Sequence, residues 1–164
     1  MEVKEKQAKA REYFRFVRDI PYGLPGYDCY AKNSVLRVLL ESSSFKVRFA
    51  VCEFYWKDLK LPQKILAVPH EEKCTHTFLE VKSGQKWLKV DATWDSGLKD
   101  VLEIANWDGK SDTLVAVPAI KFYSQEKSQK QVILEASEEF LKRDWKANGK
   151  FYQAFSDWLA KRRK

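Results

Sequence analysis

The stretch Thr75-His76-Thr77-Phe78-Leu79-Glu80-Val81-Lys82-Ser83-Gly84-Gln85-Lys86-Trp87-Leu88-Lys89-Val90-Asp91 decides the fold. Two β-rich runs, Thr75 to Val81 and Trp87 to Asp91, flank a short polar turn, the pattern of an antiparallel hairpin. A Ser83-Gly84 turn sets His76 directly opposite Asp91, where cross-strand Cβ atoms lie about 4.5–5.5 Å apart. A Gly84-Gln85 turn makes the two residues diagonal but leaves them on one face. Only an odd-length loop separates them, because a slip of one residue reverses the face. The hairpin therefore offers an imidazole with a carboxylate to orient it. The plainer reading is an exposed ion pair on a solvated sheet face.

Upstream, Ala10, Tyr13, Phe14, Val17 and Ile20 share one helical face, with Arg11, Glu12, Arg15 and Arg18 on the other. That helix must end before Pro21, whose ring disfavours helix in the preceding residue. After the loop Tyr22-Gly23-Leu24-Pro25-Gly26-Tyr27, Asp28 occupies an N-cap position ahead of Cys29 to Leu40. This second helix is apolar over much of its circumference and is expected to be central. Phe45, Val47, Phe49 and Val51 alternate with Lys46, Arg48 and Ala50 as a half-buried strand.

Residues Lys57 to Lys73 read as a long loop, and Leu114 to Val117 as a further strand continuing weakly to Phe122. Two helices close the chain. One includes Ala136, Phe140 and Leu141 and stops near Asn148-Gly149; the other carries the stripe Phe151, Phe155, Trp158 and Leu159. Helices, then strands, then helices predict an α+β domain over residues 1–164, not a parallel doubly wound sheet.

Composition agrees with one ordinary domain. The 164 residues are 45% hydrophobic and 32% charged with 6 Gly and 5 Pro, which excludes a disordered or collagen-like chain. No apolar run reaches the ~18 residues that span a bilayer. Met1 to Gln7 lacks the apolar core of a signal peptide, so a cytoplasmic protein without membrane attachment is expected. Three cysteines, Cys29, Cys52 and Cys74, are an odd number, which argues against a disulfide framework. The net charge of +7 is concentrated near the carboxyl terminus, at Lys142, Arg143, Lys146, Lys150 and Lys161-Arg162-Arg163-Lys164. It reads as a solvated helix face, and no nucleic-acid-binding module accompanies it.

Cys29 stands at a helix start, where the dipole lowers thiol pKa and free N–H groups can receive an oxyanion. Asp28 opposes thiolate formation unless its carboxylate turns into the cap. A thiol, a base and an orienting carboxylate are the parts that activated-cysteine catalysis requires.

These residues resemble the transglutaminase-like superfamily, with its papain-like Cys-His-Asp arrangement, in the small microbial single-domain form. The resemblance runs through Phe16 to Tyr22, Cys29 to Leu40, Val47 to Ala50, Thr75 to Val81 and Lys86 to Trp94. It implies Cys29 as nucleophile, His76 as general base and acid, Asp91 as orienter, and Tyr22 as the side chain assisting the oxyanion. It further implies helices packed on an antiparallel sheet, no cofactor, and a protein or peptide substrate that acylates the cysteine before transfer to water or an amine.

Two other readings compete. One is a catalytically inactive binding module of the same kind that uses its basic C-terminal helix. The other is a zinc site built from His70, Cys74 and His76, with Cys52 as fourth ligand; its spacing matches no common zinc knuckle.

Overall fold

The computed structural model describes residues 1–164. Helix α1 (Val3–Arg18) buries Ala10, Phe14 and Val17 and stops short of Pro21. Helix α2 (Cys29–Ser42) begins where the capping signal places it: the Asp28 carboxylate accepts the Ala31 N–H at 2.8 Å. It is not central. Its buried stripe is Lys32, Asn33, Leu36 and Leu40, while Val38 is largely exposed, so α2 lies on a sheet and solvates its outer side.

The sheet has four antiparallel strands, β1 (Val47–Tyr55), β2 (Lys73–Ser83), β3 (Lys86–Val90) and β4 (Lys121–Phe122), in the order β3-β2-β1-β4. Ser83 pairs with Lys86, so the turn is Gly84-Gln85, and Gly84 takes the left-handed conformation at φ 58°. Strand β1 is longer than the alternation over 45–51 suggests. Paired on both edges and covered on both faces, it buries Ala50 to Phe54 continuously.

Each face of the sheet carries its own core. Leu79, Val81 and Val90 pack with Phe14 and Val17 of α1 and Leu36 and Leu40 of α2. Ala50, Cys52, Phe54 and Phe78 face the opposite way, into an aromatic cluster. There Trp56 meets Phe151 and Phe155 edge-on, with centroids 4.9 and 5.3 Å apart. Such contacts add about 0.5–1.5 kcal/mol each beyond the area they bury. No helix is long and apolar enough to cross a membrane.

Three expected elements are corrected. Within residues 57–73 a single-turn helix, α3 (Gln63–Leu66), interrupts the loop, after a 3-10 turn at Trp56–Leu59. Leu114 to Val117 is no strand; its polar groups serve the site described below. The closing helices divide earlier than expected, as α4 (Gln125–Glu135) and α5 (Glu138–Arg162), with Ser137 capping α5 through the Phe140 N–H. Helix α5 runs straight through Asn148-Gly149. A Cβ on Gly149 would come within 3.0 Å of the Trp145 ring, so this glycine makes room for an indole.

Candidate active site

Strand β2 brings His76 onto the aromatic face, opposite Cys52 of β1. The turn at Gly84-Gln85 is the second of the two registers, so Asp91, the first residue beyond β3, approaches His76 diagonally. His76 Nε2 and Asp91 Oδ2 are 2.6 Å apart. The plainer expectation of an exposed pair is overturned, because His76 is 3% and Asp91 1% exposed.

Asp91 is surrounded by donors. Its Oδ2 also accepts the Ala116 N–H at 2.8 Å. Its Oδ1 accepts the Thr93 hydroxyl at 2.5 Å, the Thr93 N–H at 3.1 Å and the Asn33 side-chain amide at 3.4 Å. Burial works against the charge, but His76 and these hydrogen bonds outweigh it and hold the carboxyl below its usual range. A buried carboxylate supplied this fully is a fixed negative charge.

His76 responds in kind. Burial disfavours the imidazolium, yet the Asp91 carboxylate and the Cys29 sulfur together push the ring up to about 10. Its one well-aligned hydrogen bond is to Asp91, made through Nε2. The remaining nitrogen is therefore the one left to couple with Cys29. That looser contact suits an apo nucleophile and base.

Cys29 is half-buried at the first turn of α2. Burial, with the Asp28 charge, holds its thiol above the ordinary value, while the His76 charge, contact with the His76 ring and the Thr77 backbone N–H work toward the thiolate. Asp28 turns its carboxylate into the cap, yet its charge still opposes ionisation of the thiol. That cap uses the Ala31 N–H, so the first turn offers fewer free donors than expected.

Sequence reasoning missed the second layer of the site. Asn33, fully buried one turn after Cys29, donates to Thr77 O at 3.1 Å and accepts the Ala92 N–H at 3.2 Å, joining α2 to β2 and to the segment that follows β3. Lys32, also fully buried, donates to Arg18 O at 2.8 Å and Thr93 O at 2.7 Å. Burial lowers it to about 8 despite Asp95 and Asp91. The available signal was that Lys32 and Asn33 fall on the same helical stripe as the apolar Leu36 and Leu40. Ala116 comes from the segment expected to be a strand, and Thr113 just precedes it: Thr113 Oγ1 accepts the Asp91 N–H at 2.9 Å.

Cys29, His76 and Tyr22 line one cavity of about 300 Å³ between the hairpin and α4–α5. Tyr22, 7% exposed, packs edge-on against Trp94 at 4.7 Å, and its hydroxyl takes no partner within the protein. The residues of the zinc reading do not converge. His70 stacks on Phe151 and has both ring nitrogens engaged, with Val68 O and Glu72 Oε2, while Cys52 is sealed in the core. No group of three or more His, Cys, Asp or Glu side chains is placed to hold a metal ion. Comparison with protein-family models, curated proteins and solved structures finds no match.

Proposed function

We propose that this chain is a cysteine-dependent acyl-transfer or hydrolytic enzyme with a papain-like, transglutaminase-like Cys29-His76-Asp91 triad. The observation that carries the reading is a buried imidazole placed between a half-buried thiol and a carboxylate with five hydrogen-bond donors. A merely structural ion pair does not need a thiol on its other side.

In this mechanism the sulfur and the His76 ring share a proton, and the imidazolium is stabilised by Asp91. The Cys29 sulfur attacks an amide or ester carbonyl, forming the C–S bond while the carbonyl π electrons move to oxygen. The oxyanion is received by the Cys29 N–H, left free at the helix start, and by the Tyr22 hydroxyl. On collapse, His76 gives its proton to the departing amine or alkoxide, leaving a thioester. The neutral ring then takes a proton from water or an amine as that nucleophile attacks, and the thiol is regenerated. Asp91 keeps its proton off throughout and fixes the ring tautomer.

Mass spectrometry tests this directly. An activated ester should add one acyl group to Cys29 in the wild type and none in Cys29→Ala. His76→Gln should slow acylation by about 10²–10⁴-fold, the usual contribution of a positioned base. Acylation that is distributed over all three cysteines, or unchanged in His76→Gln, overturns the proposal and leaves a binding module.

A further inference from the structure

The cavity wall opposite the triad has a character that the triad does not explain. The chain carries a net charge of +7, yet no Lys or Arg lines this cavity. Its charged residues besides His76 are Asp28, Glu135 and Asp144, and none of the three is in a salt bridge. Elsewhere, carboxylates such as Asp95 and Glu80 take an arginine partner.

The partners inside the cavity are neutral. Glu135 Oε1 accepts from the Thr75 hydroxyl and from the Gln131 amide at 2.9 Å, and its Oε2 takes no hydrogen bond. Asp144 accepts from the Asn148 amide at 2.9 Å and the Tyr152 hydroxyl at 2.9 and 3.1 Å. Burial, then Asp144 and Asp28, holds Glu135 above the usual carboxyl range, the condition of an anion lacking its counter-ion. Phe140 and Tyr152 add aromatic faces, which also attract cations.

A second observation comes from the other end. The Tyr22 hydroxyl and the Trp56 indole N–H make no hydrogen bond within the protein, although both residues are more than nine-tenths buried and line the cavity. Neither atom is sealed from solvent, unlike the Trp158 indole nitrogen, so both donors open into the cavity and can receive an acceptor oxygen from a ligand. One end of the space asks for a carbonyl and the other for a positive charge.

We infer that the cavity selects an acyl donor bearing an ammonium or guanidinium group, seated against Glu135 and Asp144 while its carbonyl faces Cys29 and Tyr22. The cation belongs to the acyl donor and not to the attacking nucleophile. An attacking amine must shed its proton, and unpaired carboxylates hold that proton on. The inference rests on the acyl-transfer reading above and names the substrate class for it.

The test uses para-nitrophenyl esters of ω-amino acids of graded length, each beside the alkanoic ester in which a methyl group replaces the ammonium. At least one pair should favour the cationic ester in kcat/KM by about tenfold, the effect of one charge-assisted contact. In Glu135→Gln, and in Glu135→Gln with Asp144→Asn, that ratio should fall toward one. Cys29-dependent acylation with no preference for charge at any length overturns this inference alone. No Cys29-dependent acylation by any ester overturns the acyl-transfer reading instead. Binding is then read separately, by titrating the tryptophan fluorescence of Cys29→Ala with the matching ω-amino amide and alkyl amide. Equal affinity for the two amides also sinks the inference.

Discussion

The two walls of the cavity treat carboxylates in opposite ways. Behind the strand wall, where His76 faces the cavity, both oxygens of Asp91 are filled by five donors, and the carboxyl is held below its ordinary range. On the helix wall, Glu135 has donors on one oxygen only and is held above it. Both charges sit in poorly solvated surroundings, so burial alone does not set the sign. What differs is how many dipoles the backbone aims at the group. A charge that must stay put for His76 is given every donor it can accept; a charge free to meet a ligand is left with an open lone pair.

The contrast predicts that Asp91→Asn is the more damaging of two isosteric changes. Either orientation of the new amide points its NH₂ at a backbone N–H, that of Thr93 on one side or Ala116 on the other. Breaking a buried, fully hydrogen-bonded charge pair in this way costs about 3–5 kcal/mol. A residual folded fraction should acylate about 10⁴-fold more slowly, through loss of ring tautomer and orientation. An Asp91→Asn protein that melts within a degree of wild type would mean that these donors do not hold the carboxylate.

How much of this was legible depends on how local each cause is. The Asp28-Cys29 helix start follows from one capping side chain, and the His76–Asp91 pairing follows from strand parity, so both could be read from neighbouring residues. The register within the turn could not, since Ser83-Gly84 and Gly84-Gln85 are both acceptable turns. Helix α4 was missed because only Ser128 along it is buried; its one signal was Ser124, which caps through the Lys127 N–H. Asn148-Gly149 read as a helix stop because its real use is distant: Asn148 accepts the Glu71 N–H at 2.8 Å, and Gly149 admits Trp145. Leu114 to Val117 has strand composition, but Ala116 spends its N–H on Asp91 and its carbonyl on the Trp94 indole, at 2.7 Å. The helix wall, and with it Glu135 and Asp144, was therefore invisible as part of a site.

Thiol reactivity sharpens the contrast at smaller scale. Cys29 alone has a cation to draw its proton off. Burial and Asp91 push Cys52 up to about 12, and burial with Glu135 and Asp144 raises Cys74 well above a free thiol. Iodoacetamide at neutral pH should therefore label Cys29 first and Cys52 last, and His76→Gln should erase the lead of Cys29. Peptide mapping after timed quenching measures this, and equal rates at Cys29 and Cys74 would count against coupling to His76.

The pH dependence of stability reports the same pair. His76 titrates near 6.5 when unfolded and near 10 in place, so the folded state binds the extra proton between those values. Its stabilisation is complete below about 6.5 and is lost as pH rises through 10. The Asp91 contribution has the opposite sense, present above 3.8 and lost as pH falls below it. Melting temperature should thus decline from pH 6.5 to 10, more steeply in wild type than in His76→Gln. Cys52 and Cys74 also destabilise the fold above about 9 in both proteins, and Cys29 titrates differently once His76 is gone, so the two slopes are compared between pH 6.5 and 9. Parallel melting curves would contradict a His76 proton held by Asp91.

The smallest effect expected is on the helix wall, and it has the opposite sign. Glu135→Gln keeps the side-chain shape, and its carbonyl can still accept both the Thr75 hydroxyl and the Gln131 amide, which already share Oε1. Only the charge is removed, from a group whose folded state binds a proton more tightly than the unfolded chain does. At pH 7 the ionised Glu135 therefore works against folding, and the substitution should raise stability by less than about 1 kcal/mol, the scale of a partly solvated charge. As pH falls through 4.5 the wild-type carboxyl takes up its proton, and the difference between the two proteins should vanish. Urea unfolding at pH 7 and pH 4 resolves this. Destabilisation at pH 7 would show that the charge has an unrecognised cationic partner, and the two walls would then differ in fold alone.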